Sequence, residues 1–230
     1  MSSLRPLLAT LAAVIAAPLM AQAPARPSSA SRPVPALLHP YVSCKLPLGP
    51  DLVQHTALPQ APMTRTAQTL TGPKPIKLVD GVFAAFGYPD AGPFANVKIE
   101  QLPAATYSTE KSDVISEFDA INAKGEDTQR NYALKPMLNG FEIYGFDRTA
   151  LDGNVLGIYL FFDNAHHVAT TAYFLNAPEA LRKFHTVAEY SQLREAFLNA
   201  YTVCVRKQLA GGAPAASAKP AARATSRRNR

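Results

Sequence analysis

An α+β domain built on an antiparallel sheet is the fold that this chain predicts, and three observations carry the expectation. The pairs Asn139-Gly140, Asp152-Gly153 and Asp163-Asn164 punctuate a series of apolar or alternating runs, and such pairs favour tight turns because they tolerate positive φ. Two stretches with apolar residues at spacings of three and four lie on either side of that series, as helices packed on a sheet require. Cys44 and Cys204, the only cysteines, sit near the two ends of the same region.

The elements follow in chain order. Met1 to Ala23 has the layout of a secretory signal: Arg5, an apolar run from Leu7 to Met20, and Ala21-Gln22-Ala23 as a cleavage site. That run contains Pro18 and falls short of the roughly 20 apolar residues of a spanning helix. Residues 24–40, rich in Pro, Ala and Ser, are expected to be a linker. One domain is expected over 41–206, and residues 207–230 as a flexible basic tail.

Within the domain, Thr64 to Leu70 and Lys74 to Asp80 are set to pair across Thr71-Gly72-Pro73, with strands to follow at Val82 to Phe86 and Phe94 to Leu102. Ser108 to Lys124 reads as a helix with Val114, Ile115, Phe118 and Ile121 on one stripe, stopped at Gly125. Arg130–Leu138, Phe141–Arg148, Asn154–Phe162 and His167–Leu175 then form a four-stranded meander. Both alternating faces of Val155 to Phe162 are apolar, so this strand must be covered on each side. Thr186-Val187-Ala188-Glu189 is a capping box. The helix that it opens aligns Val187, Tyr190, Leu193, Phe197, Tyr201 and Cys204.

Charge patterning excludes a nucleic-acid-binding domain. The whole chain carries +6, yet residues 34–206 hold 14 Lys and Arg against 17 Asp and Glu, a net of −3. The basic excess belongs to the ends. Residues 207–230 are suited to anionic envelope polymers through a salt-screened attraction. With both cysteines routed by the signal to an oxidising compartment, a single Cys44–Cys204 disulfide is expected.

Candidate chemistry is sparse. There is no H-E-x-x-H, P-loop, G-x-G-x-x-G or G-x-S-x-G pattern, so no catalytic residue and no cofactor is expected. Asp163, His166 and His167 are the one local cluster of metal-ligand types. Adjacent strand residues point to opposite faces, however, and a polar turn accounts for the same residues. An envelope hydrolase or metal-dependent enzyme using the His166/His167 region is the alternative function. Glu100, Glu142 and Asp147 on predicted strands read as outward charges on a solvated face. Glu142, Tyr144 and Phe146 share one strand face, which becomes a binding surface if the first helix leaves it open.

The order of strands, helix, the run Leu138-Asn139-Gly140-Phe141-Glu142-Ile143-Tyr144 and closing helix resembles the Mog1/PsbP/DcrB-like fold over about Val82 to Val205. The chain is also similar to uncharacterised secreted bacterial proteins. The resemblance implies a non-catalytic accessory or binding domain with a protein or small-molecule partner. No functional residue carries over from it. The expected location is periplasmic or secreted, with no transmembrane span after signal cleavage.

Overall fold

The turn chemistry at Asn139-Gly140 sets the register of the sheet. In the computed structural model both residues have positive φ, 49° and 82°, the backbone that a two-residue hairpin demands. Around this turn Met137–Leu138 (β7) pairs with Phe141–Arg148 (β8). The structure describes residues 33–46, 53–60, 64–88, 92–124, 128–131 and 137–211. All of these lie in one compact unit, Ser31–Arg230. The proposed signal (1–23), residues 24–32 of the expected linker, and 212–230 of the tail fall outside the described residues.

The remaining strands are Val53–Gln60 (β1), Thr64–Thr69 (β2), Gly72–Lys77 (β3), Asp80–Tyr88 (β4), Gly92–Gln101 (β5), Thr128–Asn131 (β6), Val155–Asp163 (β9) and Val168–Leu175 (β10). They form an eight-stranded antiparallel sheet in the order β1-β4-β5-β10-β9-β8-β6, with β7 also on β8, and a separate β2-β3 hairpin. The predicted meander is therefore present. Its first strand is divided into β6 and β7, which pair with opposite ends of β8. Asp152-Gly153 lies in a longer connection between β8 and β9, where Arg148 Nε donates to Asp152 Oδ1 at 3.0 Å. Strand β1 carries Pro59 and has no alternating apolar pattern, so periodicity gave no warning of it.

His39–Val42 (α1), Tyr107–Lys124 (α2) and Val187–Gly211 (α3) complete the fold. The capping box forms: the Glu189 amide donates to Thr186 Oγ1 at 3.2 Å, and the Thr186 amide to Glu189 Oε2 at 3.3 Å. One sheet face, with Val82, Phe86, Val97, Tyr159, Phe161 and Phe174, packs on α1 and α3. The opposite face, with Phe146, Ile158, Leu160 and Phe162, packs on α2 and the β2-β3 hairpin. Strand β9 is thus covered on both sides, as its doubly apolar sequence requires. On α3, Tyr190, Phe197 and Tyr201 are fully buried, each worth about 1.5–3 kcal/mol of transfer free energy.

Two boundaries differ from the expected ones. The domain begins before residue 41, because Leu38 and Tyr41 are fully buried in the α3-side core. A Pro-rich stretch still folds when it delivers two large apolar side chains, three residues apart, to one groove. At the other end α3 continues through Lys207 to Gly211, and Leu209 packs against the core. Among the described residues no helix is long and apolar enough to cross a membrane.

Candidate functional site

The ends of β9 and β10 bring together the residues that the sequence marks as metal-ligand types, and the structure divides them. Asp163 ends β9 on the α3 side, where its Oδ2 accepts from the Tyr41 hydroxyl at 2.8 Å and Arg206 Nη1 at 3.0 Å. His166 Nδ1 lies 2.9 Å from the same oxygen. His167 takes positive φ, 57°, and turns its ring toward Tyr107 on the α2 side, with centroids 4.8 Å apart. The two histidines therefore diverge. Among the described residues no group of three His, Cys, Asp or Glu side chains is placed to hold a metal ion.

Arg206 shows what this end of the sheet is built for. Its Nε and Nη2 donate to the carbonyls of Asn139 and Gly140 at 3.1 and 2.6 Å, and its guanidinium lies 3.9 Å from the Phe141 ring centroid. One side chain on α3 thus ties the β7-β8 turn to the β9-β10 turn. Burial pushes the Asp163 carboxyl up, but the Tyr41 and His166 hydrogen bonds and the Arg206 charge outweigh it and hold the carboxyl below its usual range. Stability from this carboxylate is fully present above the unfolded value, near 3.9, and is lost as pH falls through the lowered folded value. Asp163→Asn should therefore flatten the acid limb of a urea-unfolding series run from about pH 5 downward. An unchanged limb would assign the acid sensitivity to other carboxylates.

The expected disulfide is present: Cys44 and Cys204 are bonded, with Cα atoms 5.8 Å apart. It ties the segment after α1 to α3 beside a second link, the Tyr201 hydroxyl donating to the Tyr41 carbonyl at 2.8 Å. Of the other histidines, His39 and His185 are exposed, and His39 Nδ1 lies 2.7 Å from Ser43 Oγ.

Glu142, Tyr144 and Phe146 do not form an open binding face, because α2 lies across them. Phe118 packs on Phe146 and Tyr144 with centroids 5.1 and 6.4 Å apart. Glu142 accepts from Lys111, from the Tyr144 hydroxyl at 2.6 Å and from Asn164 Nδ2 at 3.1 Å. Those hydrogen bonds overcome the upward push of burial and lower the Glu142 pKa, while burial first, and then Glu142, pushes the Tyr144 hydroxyl up to about 12.

Glu100 and Asp147 also depart from the expected solvated face, being 1% and 4% exposed. Asp147 faces α3, where it accepts from the Tyr159 and Tyr190 hydroxyls at 2.7 and 2.8 Å and pairs with Arg194 Nη1 at 3.0 Å. Arg194 also donates to the Tyr159 hydroxyl. Glycines make the room: a Cβ on Gly157 would collide with the Asp147 carboxylate and Tyr190 hydroxyl, and one on Gly145 with the Tyr159 ring. Two glycines inside apolar strands were the available signal for this site, since strand glycines mark close approach. Their partner on α3 lies far along the chain and could not be read from them.

Glu100 faces the other way. Arg65 from β2 donates to it through Nε and through Nη2, the latter at 3.0 Å, and reaches Glu117 of α2 through Nη1 at 2.7 Å. Lys98 Nζ stands 3.3 Å from Glu100. Beside this chain of alternating charges a cleft runs between α2 and the sheet, lined by Lys98, Glu117, Ile121, Ile158, Thr171 and Tyr173 among others. The cleft is shallow, with about 10 Å³ of room for the centre of a water-sized sphere. Ile121, expected in the core stripe, is 37% exposed at the cleft edge. Burial, Glu117 and Glu100 push the Tyr173 hydroxyl up to about 12, so it stays protonated at physiological pH.

The fold is an antiparallel α+β domain with a shallow cleft between α2 and the sheet. Compared with known proteins, the chain matches no family model, no curated protein and no solved structure.

Proposed function

We propose that this protein is a non-catalytic binding or accessory domain that works outside the cytoplasm, in the periplasm or after secretion, once residues 1–23 are removed. The observation that carries the reading is the cleft beside α2, where hydroxyl, ammonium and carboxylate groups border apolar side chains, the usual make-up of a recognition surface. Its compartment is supported by the Cys44–Cys204 bond, since disulfides persist in oxidising surroundings. The Mog1/PsbP/DcrB-like resemblance points to the same non-catalytic role.

The enzyme alternative loses ground because His166 is engaged by Asp163 and His167 by Tyr107 on opposite sides of the sheet. Retention on anionic envelope polymer falls to residues 212–230, whose Lys219, Arg223, Arg227, Arg228 and Arg230 carry no acidic neighbour.

The test is native mass spectrometry of the protein purified without denaturation from its own envelope fraction, with and without reductant. The expected result is an oxidised chain starting near Pro24 and carrying an organic adduct. A reduced chain retaining residues 1–23, or a hydrolytic activity abolished by His166→Ala, would overturn the reading.

A further inference from the structure

We infer that the outer edge of β2 pairs antiparallel with β2 of a second copy of this chain, so that two β2-β3 hairpins join about a two-fold axis. The inference is independent of the cleft and of the binding-domain reading. It starts from the direction in which the hairpin backbone points. Across the turn at Leu70-Thr71 the register sets Thr69 against Gly72, Gln68 against Pro73, Thr66 against Pro75 and Thr64 against Lys77. Successive pairs of an antiparallel ladder alternate between exchanging both hydrogen bonds and exchanging none. Pro73 and Pro75 have no N–H to exchange, so they and Lys77 occupy the non-bonded pairs. In agreement, the Lys77 amide leaves the hairpin and donates to Glu110 Oε2 of α2 at 2.9 Å. The facing residues Thr64, Thr66 and Gln68 therefore turn N–H and C=O away from β3. All three are exposed, and among the described residues β2 pairs with no strand except β3.

The other strand edges carry the features that natural sheets set against strand addition. The outward positions of β3 are Pro73, Pro75 and the engaged Lys77 amide. Strand β1 contains Pro59 and an irregular register between His55 and Leu58, while β6 has four residues and β7 two. Strand β2 has six residues and no proline, and its one charged side chain, Arg65, is turned inward to Glu100 and Glu117. Backbone hydrogen bonds alone would accept any extended peptide; the pattern of β2 selects its own copy. Its outward positions are symmetric about Thr66, so an axis there sets Thr66 against the second copy's Thr66 and Thr64 against its Gln68, and each outward N–H meets a C=O. The facing side chains are then neutral, with a Thr–Thr pair at the centre. On the inward row this register sets Arg65 against the second copy's Ala67. The shifted register that opposes Thr64 to Thr66 would instead bring two Arg65 side chains face to face, which like charge disfavours. An edge contact of this length buries less than the roughly 1,200 Å² of a standard stable interface, so the dimer is reversible.

The experiment is sedimentation-velocity ultracentrifugation of the oxidised chain over a concentration series, with amide hydrogen exchange recorded at the dilute and concentrated ends. The expected result is a reversible monomer–dimer equilibrium. Protection at Thr64, Thr66 and Gln68 should rise with concentration, while the Arg65 and Ala67 amides, bonded within the hairpin, stay protected throughout. Thr66→Lys sets two ammonium groups against each other across the axis, at an exposed position. It should weaken dimerisation about fivefold, less so in high salt, with the unfolding midpoint of the monomer unchanged. Thr66→Pro removes the N–H at the axis without removing a hydrogen bond to β3 and should abolish the dimer. The inference is overturned if the chain stays monomeric across the series, or if a dimer forms whose Thr64, Thr66 and Gln68 amides exchange as fast as in the monomer. It is equally overturned if Thr66→Lys dimerises as readily as the parent.

Discussion

Asp147→Ala should lower the unfolding free energy by about 3–5 kcal/mol, the usual cost of removing one partner from a buried ion pair. For a domain of this size that corresponds to a fall in Tm of roughly 6–20 °C. The side chains of Asp147 and Arg194 are 6% and 5% exposed, so the stranded guanidinium gains little from water. Its Nε is already buried without a hydrogen-bond partner. The variant also removes the acceptor of the Tyr159 and Tyr190 hydroxyls. Burial raises the pKa of Asp147 despite these donors, and it opposes the charge on Arg194, which Tyr159 and Asp147 sustain. Desolvation is therefore the dominant cost of the site, and the double variant Asp147→Leu/Arg194→Met should lose less than either single change. Thermal and urea unfolding of the four proteins decide the matter. A single variant within about 1 kcal/mol of the parent would show that the pair is not desolvated in solution.

Removing the disulfide with Cys44→Ala/Cys204→Ala has the second large effect. The bond closes a loop spanning a sequence separation of 160, for which the chain-entropy model gives about 5 kcal/mol, with measured losses of about 2–5 kcal/mol. The loss should have a local signature as well. The segment around α1 is held to α3 by this bond, by Leu38 and Tyr41 in the core, and by the Tyr41 hydrogen bonds to Asp163 and Tyr201. Amide hydrogen exchange at Leu38–Val42 should therefore accelerate before that of β9 and β10. Equal acceleration throughout would mean that the segment is an integral part of the cooperative core rather than an attached one.

The two sheet faces divide the labour of the domain. On the α3 side, aromatic rings from five strands and the helix interlock; Phe94, Phe174 and Phe197 pair edge-on at 5.4 to 6.3 Å. That packing supplies the rigidity, and a second shallow cleft borders it at Tyr88, Phe94, Leu181 and Phe184. On the other side a single helix and a hairpin cover a wide sheet incompletely. On β4 and β5 small and polar residues alternate with the core-facing ones, and among the described residues Phe83 and Asn96 of these strands are exposed.

Local chemistry by itself determined much of this protein. Positive-φ turn residues at Asn139-Gly140, the capping box at Thr186 and the doubly apolar run of β9 act over a few residues, so their outcome is legible from the chain. The disulfide was legible because two cysteines admit one pairing. Tertiary structure decided the rest. Whether Glu100 and Asp147 face water or an arginine depends on Arg65 and Arg194, which are brought to them across 35 and 47 positions of chain by packing that no local pattern records. For the same reason Glu142, Tyr144 and Phe146 lie beneath α2 while Phe83 stays 38% exposed. A periodic stripe tells a helix which face to bury; where along a wide sheet it settles is decided by the fit of Phe118 against Phe146 and by Arg65 joining α2, β2 and β5.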